Sequence, residues 1–357
     1  MARVDRPLPW LFSPAWDLGA FGGSALVALA AAAWAWATGH ARADTPAWGW
    51  VATVLLVDVA HVHLTWFRVY LDPAERARRP AFNVGVPLAS FAALWLAYRL
   101  GEPAFWRALA YVAVFHFVRQ QYGWVVLYRA RGGESGRAGR IIDAAAVYLA
   151  TLHPLAWWHA HLPRRFHWFV EGDFFALPAW VPRVTGALWA LALGAYVARA
   201  LWRGAREGAW SPGKDLVVLS TAACWYVGIV ALDGDLVFTV TNVLIHGVPY
   251  FAIVWRFGAR RYRETGAGSR VFAAGAWALL IAVWAIAYAE ELLWDRAVWG
   301  ERAWLFGEPW SLAPWRSWIV PLLATPQLTH YVMDGFIWRR RDAAELRALP
   351  SRTLAQA

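Results

Sequence analysis

Ten stretches of about twenty predominantly apolar residues follow one another along this chain, at 18–38, 47–70, 81–100, 104–128, 141–162, 180–202, 215–233, 236–256, 271–289 and 315–338. Wound as an α-helix, a run of that length spans the ~30 Å hydrocarbon core of a bilayer. The expected fold is therefore all-α: a polytopic transmembrane helix bundle of about ten spans, forming one integral-membrane domain over residues 1–357. The third and fifth runs contain Pro87 and Pro154. A membrane helix tolerates proline where neighbouring groups satisfy the carbonyl it frees.

Composition points the same way. Hydrophobic residues make up 60% and charged residues only 16%, against about 25% charged in a typical soluble domain. The 28 tryptophans suit a chain that meets lipid headgroups, where an amphipathic ring is at home. A single cysteine, Cys224, excludes a disulfide framework and a thiolate metal cluster. The net charge of +10 is not a nucleic-acid footprint, because the arginines fall between apolar runs and form no separate basic stripe with exposed aromatics. Membrane lipid is the expected partner, and nucleic acid is not.

The basic residues also set an orientation, since cytoplasmic loops hold the Lys/Arg excess. The N-terminus and the segments after the second, fourth, sixth, eighth and tenth runs carry 24 of them, and the opposite side carries nine. Both termini are then cytoplasmic. The even-numbered spans run from outside to inside.

Those even-numbered spans hold the unusual residues. The second reads "LLVDVAHVHLTWFRVY", with Asp58, His61 and His63; the fourth reads "VAVFHFVRQQYGW", with His116, Arg119 and Gln120. The eighth reads "VTNVLIHGVPYFAIVW", with Asn242 and His246, and the tenth carries His330 and Asp334. From the last histidine of each span to the first arginine beyond its cytoplasmic end the intervals are 5, 13, 10 and 9 residues. At about 1.5 Å per residue, that places all four imidazoles roughly 8–20 Å from the cytoplasmic boundary. Four helices can present them to one point.

Each histidine has a polar neighbour one turn away: Asp58, Gln120, Asn242 and Asp334. Spacings of three or four put both side chains on one helix face. A metal-binding histidine uses its second ring nitrogen to donate to a carboxylate or carbonyl, so the pattern reads as metal ligands with orienting partners. Asp58 and Asp334 are alternatively ligands themselves, or the counter-charge that an intramembrane Arg119 requires. His61 and His63 are about 200° apart on an ideal helix. His61 shares a stripe with Asp58, Thr65 and Arg68, and is the favoured ligand of the two. His153, His159, His161 and His167 gather on no single face and read as incidental.

Neutral imidazoles with carboxylates and no thiolates suit iron, zinc or copper. Iron with open positions would support oxygen chemistry on a hydrophobic small-molecule substrate. Zinc would support hydrolysis with Asp334 or Asp58 as base, and two facing histidines could hold haem. Asp334, Arg119 and Gln120 are the candidate catalytic groups, with Asp58 and Asn242 around the cofactor. In a proton-coupled carrier, Asp58, Arg119 and Asp334 would be the working groups. No H-E-x-x-H, G-x-S-x-G or Gly-rich phosphate loop is present, which disfavours the chemistries those motifs serve.

The blocks "HFVRQQYGW", "IHGVPYFAIVW" and "HYVMDGFIWRRR" resemble an uncharacterised group of bacterial polytopic membrane proteins, which implies a bacterial inner-membrane location and no particular activity. More loosely, histidines spread over separate spans are similar to the bacterial integral-membrane carotene dioxygenases. That likeness implies an iron-dependent oxygenase acting on an isoprenoid or other lipid, with His61, His116, His246 and His330 as ligands. The additional spans, Arg119 inside a span, and the partners Gln120, Asn242 and Asp334 depart from that family.

Overall fold

The computed structural model describes residues 9–266 and 269–338, and every regular element among them is helical. Ten helices have at least 20 residues: α1 (Pro14–Ala37), α2 (Ala47–Tyr70), α3 (Pro80–Arg99), α4 (Glu102–Arg131), α5 (Arg137–Ala160), α6 (Val181–Glu207), α7 (Pro212–Ala231), α8 (Asp235–Thr265), α9 (Ala276–Trp299) and α10 (Arg316–Ile337). Each overlaps one of the ten apolar runs, with α9 displaced toward the C-terminus of the run at 271–289. Seven of them, α1, α2, α3, α6, α7, α8 and α9, are long and apolar enough to cross a membrane. The other three are as long but more polar; α4, for example, carries Glu102, Arg107, Arg119, Arg129 and Arg131. The arginines at 3, 6 and 339–352, on which the placement of both termini rests, lie outside the described residues.

Local chemistry sets where helices begin and end. α1 starts at Pro14, behind a Ser13 side chain that accepts from the Trp16 N–H, filling a donor that the first turn leaves open. Gly101, with φ +115°, turns the chain from α3 into α4, in a region that costs other residues a steric penalty.

The described residues pack as two compact units. One comprises the chain up to Gly49 together with Val114–Pro249. In it, Ala32 and Ala35 of α1 pack against Leu236, Val237 and Val240 of α8; small side chains let membrane helices approach closely. Buried Asp17 accepts from the Leu11 and Phe12 amides at 2.6 and 3.0 Å and from the Tyr128 hydroxyl at 2.8 Å.

The same unit holds a dense ionic cluster. Glu134, in the turn between α4 and α5, meets Lys214 at 2.6 Å, Arg203 at 2.6 Å, Arg199 at 3.1 Å and Arg129 at 3.4 Å. Asp143 is held by Arg129, by Arg199 at 3.1 Å and by Lys214 at 3.2 Å. A side chain at Gly139 would overlap the Arg199 guanidinium, so this glycine makes the cluster possible. Burial alone would raise the Glu134 pKa, but Lys214, Arg199 and Arg203 outweigh it and hold the carboxyl down at about 2.

The second unit comprises Trp50–Ala113 and the chain from Tyr250 onward. In it, Val69 of α2 packs with Met333 and Ile337 of α10, and Phe82 and Val86 of α3 lie against them with Tyr70 and Trp338. α2 is π-wound over Val51–Val59 and Trp66–Tyr70, on either side of an α stretch at Ala60–Thr65. The Trp284 indole of α9 donates to the Leu56 carbonyl in the first π segment at 2.8 Å. Pro87 leaves the carbonyl four residues earlier without its usual donor. That carbonyl, Asn83 O, accepts the Tyr70 hydroxyl at 3.0 Å.

Replacing Glu134 by Gln removes one partner of a buried network and is expected to cost about 3–5 kcal/mol. Because the folded-state pKa is depressed, the wild-type advantage is present above the ordinary value near 4.5 and is lost as pH falls toward 2. Thermal unfolding in detergent, followed by a thiol dye that reaches the buried Cys224 only on unfolding, checks both statements. Equal midpoints for E134Q and wild type at neutral pH would contradict them.

Candidate metal centre

Four of the histidines on the even-numbered helices come together. His61 on α2, His116 on α4, His246 on α8 and His330 on α10 each offer a ring nitrogen, and these atoms all lie within 4.8 Å of one another. All four side chains are buried, at 3, 5, 0 and 1% exposure. Two edge-to-face pairs build the group. The His61 and His330 ring centroids are 4.9 Å apart at 80°, and those of His116 and His246 are 5.1 Å apart at 83°. This buried four-histidine group could bind a metal ion. Its donor set is all imidazole, without thiolate.

The His116/His246 pair is fixed by the backbone of α8. Pro249 lies within that helix and cannot donate to Ile245 O, so this carbonyl loses its helical partner. Gln121 Nε2 donates to Ile245 O at 3.4 Å, and Gln120 Nε2 donates to His246 O at 2.8 Å. Thr221 in turn donates to Gln121 Oε1 at 3.0 Å. The Phe117 ring lies flat on the His246 imidazole, with centroids 3.6 Å apart and planes 8° from parallel. Gln120 thus acts on the histidine of α8 through a carbonyl, not on His116 one turn before it. Asn242 Nδ2 donates to Phe238 O at 3.0 Å within α8, so its amide is directed along its own helix.

The His61/His330 pair is held by hydroxyls. His330 Nδ1 lies 2.8 Å from Thr65 Oγ1, and Thr65 Oγ1 lies 3.3 Å from the Tyr250 hydroxyl. That hydroxyl donates to Asp334 Oδ1 at 2.5 Å. Tyr250 also turns its ring edge-to-face toward both His61 and His330, at 5.9 and 5.2 Å. Asp334 Oδ1 itself is 3.8 Å from His330 Nδ1, beyond hydrogen-bonding distance, so the carboxylate acts through Tyr250 and Thr65. Asp58 Oδ1 is likewise 3.6 Å from His61 Nδ1.

The remaining candidates stand apart from the four. His63 Nε2 lies 2.6 Å from Glu290 Oε2 of α9, both side chains being buried, and it is not part of the group. Arg119 is exposed and donates to the Tyr148 hydroxyl, with its guanidinium 5.4 Å from the Tyr122 ring. Neither Asp58 nor Asp334 is its counter-charge. His153 lies 3.2 Å from Thr185 Oγ1, while His159 and His161 face carbonyls of their own helix at 2.6 and 2.8 Å.

Thr65, Tyr250 and Gln121 are the participants that the sequence did not single out. Thr65 stood on the polar stripe of His61, and Tyr250 follows His246 by four residues, so spacing alone could have flagged both.

Among the described residues, fold and site define an all-helical protein with seven helices long and apolar enough to cross a membrane and a buried four-histidine group. Comparison with protein-family models, with curated proteins and with solved structures finds no match.

Alanine at His61, His116, His246 or His330 is expected to abolish stoichiometric metal binding, whereas His63→Ala retains it. Tyr250→Phe and Thr65→Ala keep all four ligands and should weaken binding about 10–100-fold, as loss of an orienting partner does elsewhere. Metal content and competition titration on purified protein measure both. A His116→Ala variant with full metal content would sink the shared centre.

Proposed function

We propose that this chain is a ten-span protein of the bacterial inner membrane, with both termini in the cytoplasm, that binds iron through His61, His116, His246 and His330 and oxidises a hydrophobic, lipid-like substrate. The observation that carries the reading is the convergence of four buried ring nitrogens within 4.8 Å in a bundle of apolar helices. A tetrahedral ion with N bonds near 2.0–2.1 Å holds its donors roughly 3.4 Å apart, so only a modest inward movement separates the four rings from a closed set. Haem fits less well, because a porphyrin supplies four nitrogens of its own around iron and leaves room for only two histidines. Zinc and copper share the donor preference. Iron is favoured over zinc because it adds redox chemistry beside the phase in which a lipid substrate is dissolved.

Iron held this way supplies activation of dioxygen when bound. The protein groups do the positioning. Were His330 to hold the metal through Nε2, its Nδ1–H would donate to Thr65 Oγ1 and the Thr65 hydroxyl to Tyr250, which donates to Asp334. This chain fixes the tautomer and the ring plane. Gln120 and Gln121 hold the His246 segment of α8 where Pro249 interrupts it. Burial of all four rings keeps bulk water from the centre.

A proton-coupled carrier is the second reading, favoured by the buried His63/Glu290 contact at 2.6 Å. The two readings separate on purified protein. Iron near one equivalent, no Soret band and oxygen uptake stimulated by lipid extract, all lost in His246→Ala, are expected for the oxygenase. Metal-free protein that carries out pH-dependent flux in liposomes would replace the oxygenase with the carrier.

A further inference from the structure

Arg119 is an anomaly that the metal centre does not absorb. It sits ten residues from Arg129 at one end of α4 and seventeen from Glu102 at the other, about 15 and 25 Å along the axis. Its stem is too short to reach either end. The residue is exposed, and among the described residues no carboxylate pairs with it; its partners are the Tyr148 hydroxyl and the Tyr122 ring. Its exposed neighbours are apolar: Phe115 and Val126 on the same face of α4, at 64 and 40%, and Leu152 on α5 at 45%. A guanidinium in the middle of an apolar outer face carries a desolvation cost that an anion offsets.

We propose that Arg119 and Tyr148 form a lipid-facing site for the carboxylate of a long-chain aliphatic acid, whose tail lies along Phe115 and Leu152. α4 and α5 run in opposite directions across the bilayer in the proposed topology. Phe115 precedes Arg119 and Leu152 follows Tyr148, so both lie on the same side of the guanidinium and form one apolar strip. An arginine fork binds a carboxylate through two parallel N–H bonds, and the phenol adds a third polar group. The phosphate of a phospholipid stays at the headgroup level and does not reach this depth. A single-chain acid does, because its tail remains in hydrocarbon. Its first carbons then pass the turn of α4 that carries His116, one turn before Arg119. The site rests on reading α4 as a membrane span, and it names the substrate class of the proposed oxygenase as an anionic single-chain lipid.

The test uses full-length protein in nanodiscs of neutral phosphatidylcholine, titrated with carboxyl-labelled palmitate and, in parallel, with hexadecanol. The tails match and only the charge differs. Wild type is expected to bind palmitate saturably and at least about tenfold more tightly than hexadecanol, the scale of one charge-assisted hydrogen bond. Arg119→Gln should lose that preference while keeping the wild-type metal content, and Arg119→Lys should keep it in part. Equal binding of the two probes by wild type overturns the proposal without recourse to any variant, as does a palmitate preference that survives Arg119→Gln. A dimer that Arg119→Gln dissociates, with no palmitate preference, also overturns it by making a second copy the occupant. The two readings fail separately. Metal-free protein that still prefers palmitate removes the iron enzyme and leaves this site, and metal-loaded protein without the preference does the reverse.

Discussion

A bilayer interior offers no water to complete a hydrogen bond, so each polar group placed there must be met by another from the protein. Much of this structure follows from that requirement. Pro87 leaves Asn83 O in need of a donor, and Tyr70 supplies it. Pro249 does the same to Ile245 O, and Gln121 answers. Where α2 widens into π turns, the Trp284 indole reaches Leu56 O. Such repairs are specific: each ties one helix to one place on another. At α8 the repair lies beside His246, and it comes from the α4 turn that follows His116. The irregular backbone and the register of this imidazole pair are therefore one feature.

The same requirement explains why the two buried polar assemblies differ in kind. Around Glu134 and Asp143, four cations surround two carboxylates near helix ends, and opposite charges meet directly. The four-histidine group uses rings that can be buried neutral, with one nitrogen available as donor and the other as acceptor or ligand. Burying a neutral ring costs far less than burying an ion, so a tetra-imidazole centre can sit among apolar helices without a matching set of countercharges. Hydroxyls and amides suffice to aim it. Thr65, Tyr250 and Gln120 are uncharged, and the carboxylate of Asp334 enters through the Tyr250 hydroxyl.

The sequence made the helices legible because lipid-facing and core-facing residues are both apolar, and each run ends at polar or basic residues. It also made the four histidines legible, since each lay in an even-numbered run with a polar neighbour one turn away. Helix phase separated His61 from His63. The partners were harder to read. One-turn spacing pointed to Asp334, Gln120 and Asn242 as direct companions of His330, His116 and His246, yet the shortest contacts come from other helices or go to carbonyls. Spacing along one helix carries no information about a hydroxyl on another. The three long helices that are less apolar, α4, α5 and α10, include two that carry histidines of the buried group, and such interior polar residues lower a helix's mean hydropathy.

The winding of α2 has a further consequence. His61 lies in the short α stretch between two π-wound segments, and a π turn accommodates about one residue more than an α turn. Residues 51–59 therefore set the azimuth of the imidazole in the way a shim sets the angle of a shaft. The aim of His61 is stored upstream of it, in main-chain geometry, more than in its own rotamer. Deleting one residue from that segment with its winding unchanged would swing the ring by roughly 100°, emptying one corner of the centre while every histidine remained in the sequence.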